Sequence, residues 1–224
     1  VTKPNNKSGA RQKLPKWTRS EKRVLTVGEM FSGPGGIGLA LHNTKLKAPS
    51  IELSFEHLWA TDYDPDTCKT YRNNLFTGNP NAQTICSDIK DVNLDALPTV
   101  DGFLYGFPCN DFSLVGETLG FNGKFGALYQ YGVEYISRNN PLFIFAENVS
   151  GISSSNSGSA FTKILHDLNH AGKYGYHLTV HHYKFEDYGV PQARHRYIIV
   201  GFRGDLGLSF QVPKPTMTKK TAKQ

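Results

Sequence analysis

The segment Gly106-Phe107-Pro108-Cys109-Asn110-Asp111-Phe112-Ser113 puts a cysteine directly after a proline, at the end of an apolar run. Proline fixes the backbone ahead of the thiol and restricts its direction of approach. Such a thiol is a candidate nucleophile where its surroundings favour the thiolate. Standing alone it would read as a small core residue. Two other segments keep it company. Phe145-Ala146-Glu147-Asn148-Val149 closes a second apolar run with a carboxylic acid. Glu147 there needs a partner, and it can serve as an acid near the thiol; the plainer reading is a salt-bridged edge glutamate. Gln192-x-Arg194-x-Arg196 leads into a third run. In an extended chain, alternation puts these three side chains on one face. The set suits a carboxylate or a phosphate, or simply faces solvent.

A glycine-rich stretch, Gly33-x-Gly35-x-x-Gly38, follows the first apolar run. Glycines let a backbone bend sharply and approach a ligand closely, as nucleotide-binding turns do. Asp62 closes the next run, where a carboxylate can accept both hydroxyls of a ribose. Taken alone, this pair fits NAD, S-adenosylmethionine or a purely structural turn. Asp88, after Cys86-Ser87, can accept an adenine amino group or cap a turn.

The elements that must position these groups alternate along the chain. Val24 to Phe31, His57 to Thr61, Gly102 to Phe107 and Leu142 to Ala146 read as strands. Ile37 to His42 reads as helical. Asp64-Pro65 is a helix start that places Cys68, Tyr71 and Leu75 on one face. Leu128, Tyr131 and Tyr135 mark a further helix. Phe161, Ile164, Leu165 and Leu168 mark another, with Gly172 past its end. Residues 153–159 read as a loop. His177 to Phe185 and Arg196 to Phe202 read as an antiparallel pair around Gly189-Val190-Pro191. The prediction is an α/β fold: an open, mostly parallel sheet with helices on both faces and an antiparallel hairpin at its edge. Ligands of such sheets lie beyond the carboxyl ends of the strands, where every motif above falls.

Composition narrows the class. Apolar residues make up 38% of the 224, enough for one substantial domain. No run of about 18 apolar residues predicts a membrane span, and no signal peptide is visible. The three cysteines, Cys68, Cys86 and Cys109, form no Cys-x-x-Cys pair. That argues against a disulfide framework or zinc site and fits a reducing, intracellular compartment. The net charge of +6 is uneven: residues 1–23 carry +7 and residues 211–224 carry +4, which leaves −5 for residues 24–210. Three stretches are expected: a disordered basic segment over 1–23, a catalytic domain over 24–204, and a basic tail or linker over 205–224. The acidic middle forbids inferring DNA binding from the isoelectric point.

Together the motifs resemble those of DNA (cytosine-5) methyltransferases, in family order from about Thr26 to Phe202. The resemblance implies a Rossmann-like fold that binds S-adenosyl-L-methionine, releases S-adenosyl-L-homocysteine and needs no metal. Phe31, Ser32, Gly33, Gly35, Gly36 and Ile37 correspond to the first cofactor motif. Asp62 with Tyr63, Asp88 with Ile89, and Phe107 with Pro108 complete the implied cofactor site. Cys109 stands as nucleophile, Glu147 as acid, Arg194 as stabiliser of the adduct, and Gln192 and Arg196 as orienting residues. Asn110-Asp111 departs from the usual glutamine and small residue, and Phe125 stands where the family carries arginine.

The resemblance also implies double-stranded DNA as partner and a flipped-out cytosine as substrate. The expected setting is restriction-modification, in the cytoplasm, or in the nucleus of a eukaryotic source. The family continues past Arg203 with a recognition domain and a last cofactor helix. Either a second polypeptide supplies these or the chain is shortened. Two other readings stay open, the same chemistry on transfer RNA and a non-catalytic regulatory subunit.

Overall fold

The computed structural model describes residues 21–48, 51–108, 128–153 and 158–216. The strands are β1 (Glu21–Met30), β2 (Leu46–Ala48), β3 (Ile51–Asp62), β4 (Gln83–Cys86), β5 (Gly102–Tyr105), β6 (Phe143–Val149), β7 (Tyr176–Lys184) and β8 (His195–Arg203). The helices are α1 (Gly36–His42), α2 (Pro65–Leu75), α3 (Tyr129–Asn139) and α4 (Ser159–Asn169). All the strands join one sheet in the order β2-β3-β1-β5-β6-β8-β7, and β4 pairs with β3 beyond β2. Strands β4, β3, β1, β5 and β6 run parallel. β8 lies antiparallel to β6, and β7 antiparallel to β8, as the hairpin expected at the edge. The short antiparallel strand β2 at the other edge was not anticipated from the sequence.

Helices cover both faces, and a bulge in β3 sorts the side chains between them. Val27 pairs with His57 but Gly28 pairs with Trp59, so Leu58 is one residue too many. Strict alternation would send His57 and Trp59 to the same face. With the bulge they part. His57 meets Tyr71 of α2, and Trp59 meets Tyr135 of α3 with ring centroids 5.0 Å apart. The α3 and α4 face holds the larger core, including Trp59, Phe103, Tyr105, Tyr135, Ile144 and Ile164. Helix α2 starts as its sequence predicts: the Asp64 side chain accepts from Thr67 N at 2.8 Å and Pro65 takes the first turn. Cys68, Tyr71 and Leu75 are its buried residues.

Three boundaries differ from expectation. β1 begins at Glu21, inside the segment expected to be disordered, because Glu21 to Arg23 pair with Ile51 to Leu53. β6 runs on to Val149, since β8 supplies partners as far as Val149↔Arg196. Residues 205–216 belong to the stretch expected as a tail or linker, yet they lie across β6, β7 and β8. That face carries no α-helix among the described residues, and Phe210 and Val212 cover Tyr183, Ile198 and Val200 instead. Thr179 Oγ1 donates to the Phe210 carbonyl at 3.1 Å, and Thr216 N to the Asp187 carbonyl at 2.8 Å. Among the described residues no helix is long and apolar enough to cross a membrane.

Candidate active site

The chain leaves β1 through a turn with three left-handed residues, Phe31 (φ 56°), Gly33 (φ 52°) and Gly35 (φ 97°). A left-handed residue with a side chain costs roughly 1–2 kcal/mol and persists only where its surroundings hold it. The holding bonds come from β3. Ser32 N donates to the Thr61 carbonyl at 3.0 Å, and Gly33 N to Asp62 Oδ2 at 2.7 Å. Asp62 Oδ1 accepts from Asp64 N at 3.1 Å. The carboxylate expected to meet a ribose therefore also braces the glycine turn. It uses about half of its four acceptor positions to do so. A Cβ on Gly33 or Gly36 would meet nothing within 4 Å, so open space lies in front of the turn. A Cβ on Gly35 would come within 2.9 Å of Leu75 and Tyr71, so the turn sits directly on α2.

Tyr63, next to Asp62, is 74% exposed, an aromatic ring offered at the rim of the sheet. Asp88 caps the short 3-10 turn Ile89–Asp91 by accepting from Lys90 N at 3.1 Å, which is its plainer role. The Ile89 side chain lies in the core at 5% exposure, so only its backbone can face a ligand. Phe107 is likewise buried, against Tyr105 and Tyr129.

Glu147 sits between two arginines. Arg196 Nε lies 2.7 Å from its Oε1, a charge contact whose N–H is not aligned on the oxygen. Arg194 Nη2 donates to the same oxygen at 3.4 Å. The Oε2 atom points over Gly106, where a Cβ would stand 3.6 Å from it and 3.9 Å from Ile37 Cδ1. Gly106 thus leaves the acid room to face α1 and the glycine turn. Neighbouring Asn148 is buried and its Nδ2 donates to the Phe107 carbonyl at 3.1 Å. That bond ties the end of β6 to the segment running into Pro108. Cys109 itself, with residues 110–127 and the departures at Asn110, Asp111 and Phe125, lies outside the described residues. Gln192 falls in an exposed bend ahead of β8 and joins neither arginine by a hydrogen bond, whereas Arg194 and Arg196 both reach Glu147.

One group escaped the sequence reading. Glu29, on β1, is 1% exposed and accepts from Tyr71 Oη at 2.8 Å. The Tyr71 oxygen lies 3.1 Å from His57 Nδ1. Burial pushes the Glu29 carboxyl up to about 8. Burial, with His42 adding to it, holds His57 down to about 4. The acid two residues before Phe31 was the available signal, since a strand otherwise apolar rarely buries a lone carboxyl.

The comparisons agree with this geometry. Residues 25–224 match the family described as C-5 cytosine-specific DNA methylase. The Type II methyltransferase M.BbvI of Brevibacillus brevis is 47% identical over 199 residues, 86% of this chain and 53% of the relative. Type II methyltransferase M.NgoFVII of Neisseria gonorrhoeae is 33% identical over 84% of this chain and 46% of its own length. The chain thus spans about half the length of the curated relatives it matches. Both relatives carry their additional length within one chain, which lends no support to a second polypeptide. Among solved structures, one described as a DNA modification methyltransferase encoded within an Escherichia coli prophage superposes with a TM-score of 0.67. It is 25% identical, over 88% of this chain and 53% of that one. A Spodoptera frugiperda DNMT2 mutant shares the fold, with a TM-score of 0.61 at 21% identity over 85% of this chain and 56% of that one. An α/β sheet with a braced glycine turn, an acid held by two arginines at the same rim, and a match over nearly its whole length place the chain in the C-5 cytosine-specific DNA methylase family.

Proposed function

We propose that the chain carries the chemistry that moves a methyl group from S-adenosyl-L-methionine to C5 of cytosine in double-stranded DNA, in a restriction-modification setting. The observation that carries this reading is Glu147. Two arginines hold it at the rim of the sheet, its other oxygen lies over Gly106 beside Ile37 of α1, and Asn148 ties the strand that carries it to the segment that leads into Cys109. The Type II methyltransferases among its curated relatives support the restriction-modification setting.

The residues fit the cofactor. Open space in front of Gly33 and Gly36 admits a ligand close to the backbone of Phe31, Ser32, Gly35 and Ile37. Asp62 keeps acceptor capacity for a ribose, and the exposed Tyr63 ring offers a stacking surface for adenine. Asp88, the Ile89 backbone, Phe107 and Pro108 would complete the wall. The bound cofactor supplies an electrophilic methyl group.

Cytosine C5 is too weak a nucleophile to take that group unaided, and covalent catalysis answers this. The Cys109 thiolate adds to C6, forming a C–S bond and moving the C5=C6 electron pair onto C5. Glu147 holds a proton at N3 while that charge develops. Arg194 steadies the adduct, and Arg196 orients the acid. Gln192, like Arg196, is assigned to orient the active-site residues. Once C5 is methylated, its proton leaves to a base, the C–S bond breaks, and the double bond returns. The base must leave the duplex first, at a cost of about a few kcal/mol.

The test is transfer of labelled methyl to duplex DNA, with transfer RNA as competitor. DNA labelling that Cys109→Ser abolishes is the expected result. Labelling that survives Cys109→Ser removes the nucleophile. Preferential labelling of the transfer RNA moves the chemistry to that substrate.

A further inference from the structure

The glycine turn rests on a buried polar chain that the methyl-transfer chemistry does not use. Tyr71 supports the turn twice. Its ring lies where a Cβ on Gly35 would come within 2.9 Å, and its hydroxyl where a Cβ on Gly38 would come within 2.7 Å. Glu29 Oε2 stands 2.6 Å from that same absent Gly38 Cβ and accepts the Tyr71 hydroxyl proton at 2.8 Å. On its other side the Tyr71 oxygen faces His57 Nδ1 at 3.1 Å. Because Tyr71 has a single proton and gives it to Glu29, His57 must carry its proton on Nδ1 to complete the chain. His57 Nε2 then remains a buried acceptor without an aligned partner. Three elements meet here: β1 through Glu29, α2 through Tyr71, and β3 through His57 and Asp62. Helix α1 adds His42, whose ring centroid is 6.4 Å from that of His57. Asp62, a neighbouring charge on Glu29, also accepts the Gly33 N–H, so the polar chain and the turn share a carboxylate.

We infer that Tyr71 and Glu29 are positioning residues for the cofactor: their hydrogen bond holds Gly35 to Gly38 in the shape that receives S-adenosyl-L-methionine, and a charge on Glu29 sets the turn against Asp62. The inference rests on the cofactor reading proposed above. An anionic Glu29 would keep its hydrogen bonds from Tyr71 and the Gly38 backbone, both of which favour the charge, but it would be buried and would face the Asp62 carboxylate with no cation among the groups just named, since burial keeps His57 neutral. The turn would relax to separate the two charges, and affinity for cofactor would fall at alkaline pH.

The experiment titrates S-adenosyl-L-homocysteine into the chain by calorimetry from pH 6 to 9, which needs no turnover. The wild type should bind at neutral pH and weaken as pH passes about 8. Tyr71→Phe keeps the ring beneath Gly35 and loses the hydroxyl; it should bind about five- to tenfold more weakly at pH 7, the loss of one buried hydrogen bond. Glu29→Gln keeps an acceptor for Tyr71 and cannot ionise, so it should bind like the wild type at pH 7 and lose the alkaline weakening. In steady-state assays Tyr71→Phe should raise the cofactor KM and leave kcat within about twofold, since uniform binding is what it removes. Thermal unfolding monitors folding of both variants, and the near-isosteric Glu29→Gln stands as the independent arm. Equal affinity of wild type and both variants at every pH overturns the inference and leaves the cofactor reading standing. A folded wild type that binds no S-adenosyl-L-homocysteine at any pH overturns the cofactor reading and the inference with it.

Discussion

Glu147 is the residue on which the proposed chemistry turns, and its two arginines are not equivalent. Arg196 lies 2.7 Å away with its side chain 20% exposed, whereas Arg194 lies 3.4 Å away and is 45% exposed. A charge pair weakens with distance and with access to water. Arg196→Ala should therefore lower methyl transfer more than Arg194→Ala, and equal losses in single-turnover assays would contradict the ranking. Glu147→Gln should cost about 10²–10⁴-fold in kcat, the scale of general acid–base catalysis; less than about tenfold would remove its proposed role. Tyr63 tests the other end of the site. Its ring is exposed, so Tyr63→Ala should leave thermal stability unchanged yet weaken S-adenosyl-L-homocysteine binding about tenfold, the scale of one base–aromatic stack. At this scale most of the site was legible, because its residues close strands and strand ends announce themselves as apolar runs meeting polar ones. Gln192 is less so, since it lies in a bend before β8, where strand alternation does not set the direction of a side chain. Of the Glu29–Tyr71–His57 chain only the lone acid of β1 left a signal, because its members come from three elements that only packing brings together.

At the scale of elements, the glycine turn depends on how tightly β1 and β3 lie together. Gly28 faces Trp59 so closely that a Cβ there would stand 2.2 Å from the indole. The bulge at Leu58 is what delivers Trp59 to that position. Its Nε1 then donates to the Pro98 carbonyl at 2.9 Å, which fixes the ring. Gly28→Ala must displace a fully buried tryptophan or shift β1, and overpacking of this kind costs about 1–3 kcal/mol. Urea denaturation should show a lowered midpoint at unchanged slope; an unchanged midpoint would mean the strands have room that the geometry denies. Helix α2 was readable in full because its cap, proline and apolar face agree. The ends of β1 and β6 were not, because pairing with β3 and β8 extends them past their own apolar residues. Strand β2 has only three residues and exists through its pairing with Ile51 to Leu53.

For the molecule as a whole, two buried groups set opposing responses to pH. The Glu29 carboxyl rises from 4.5 to about 8 on folding, mainly through burial. Its contribution to stability is complete below about 4.5 and is lost as pH climbs through about 8, because the unfolded chain gives up the proton first. His57 falls from 6.5 to about 4, again mainly through burial. Its contribution is complete above about 6.5 and is lost as pH drops through about 4. Between about 4.5 and 6.5 the two slopes oppose each other, so these groups give a plateau there. Above 6.5 only Glu29 still changes, and stability should fall until about pH 8. Thermal unfolding across pH 4 to 9 reads this directly. Glu29→Gln should remove the alkaline fall and uncover the rise due to His57, moving the optimum from the plateau to above pH 6.5. His57→Gln should do the reverse, leaving a steady decline from about pH 4.5 upward. If Glu29→Gln tracks the wild type from pH 6.5 to 8, Glu29 is already ionised in the folded protein and the alkaline weakening of cofactor binding has another source.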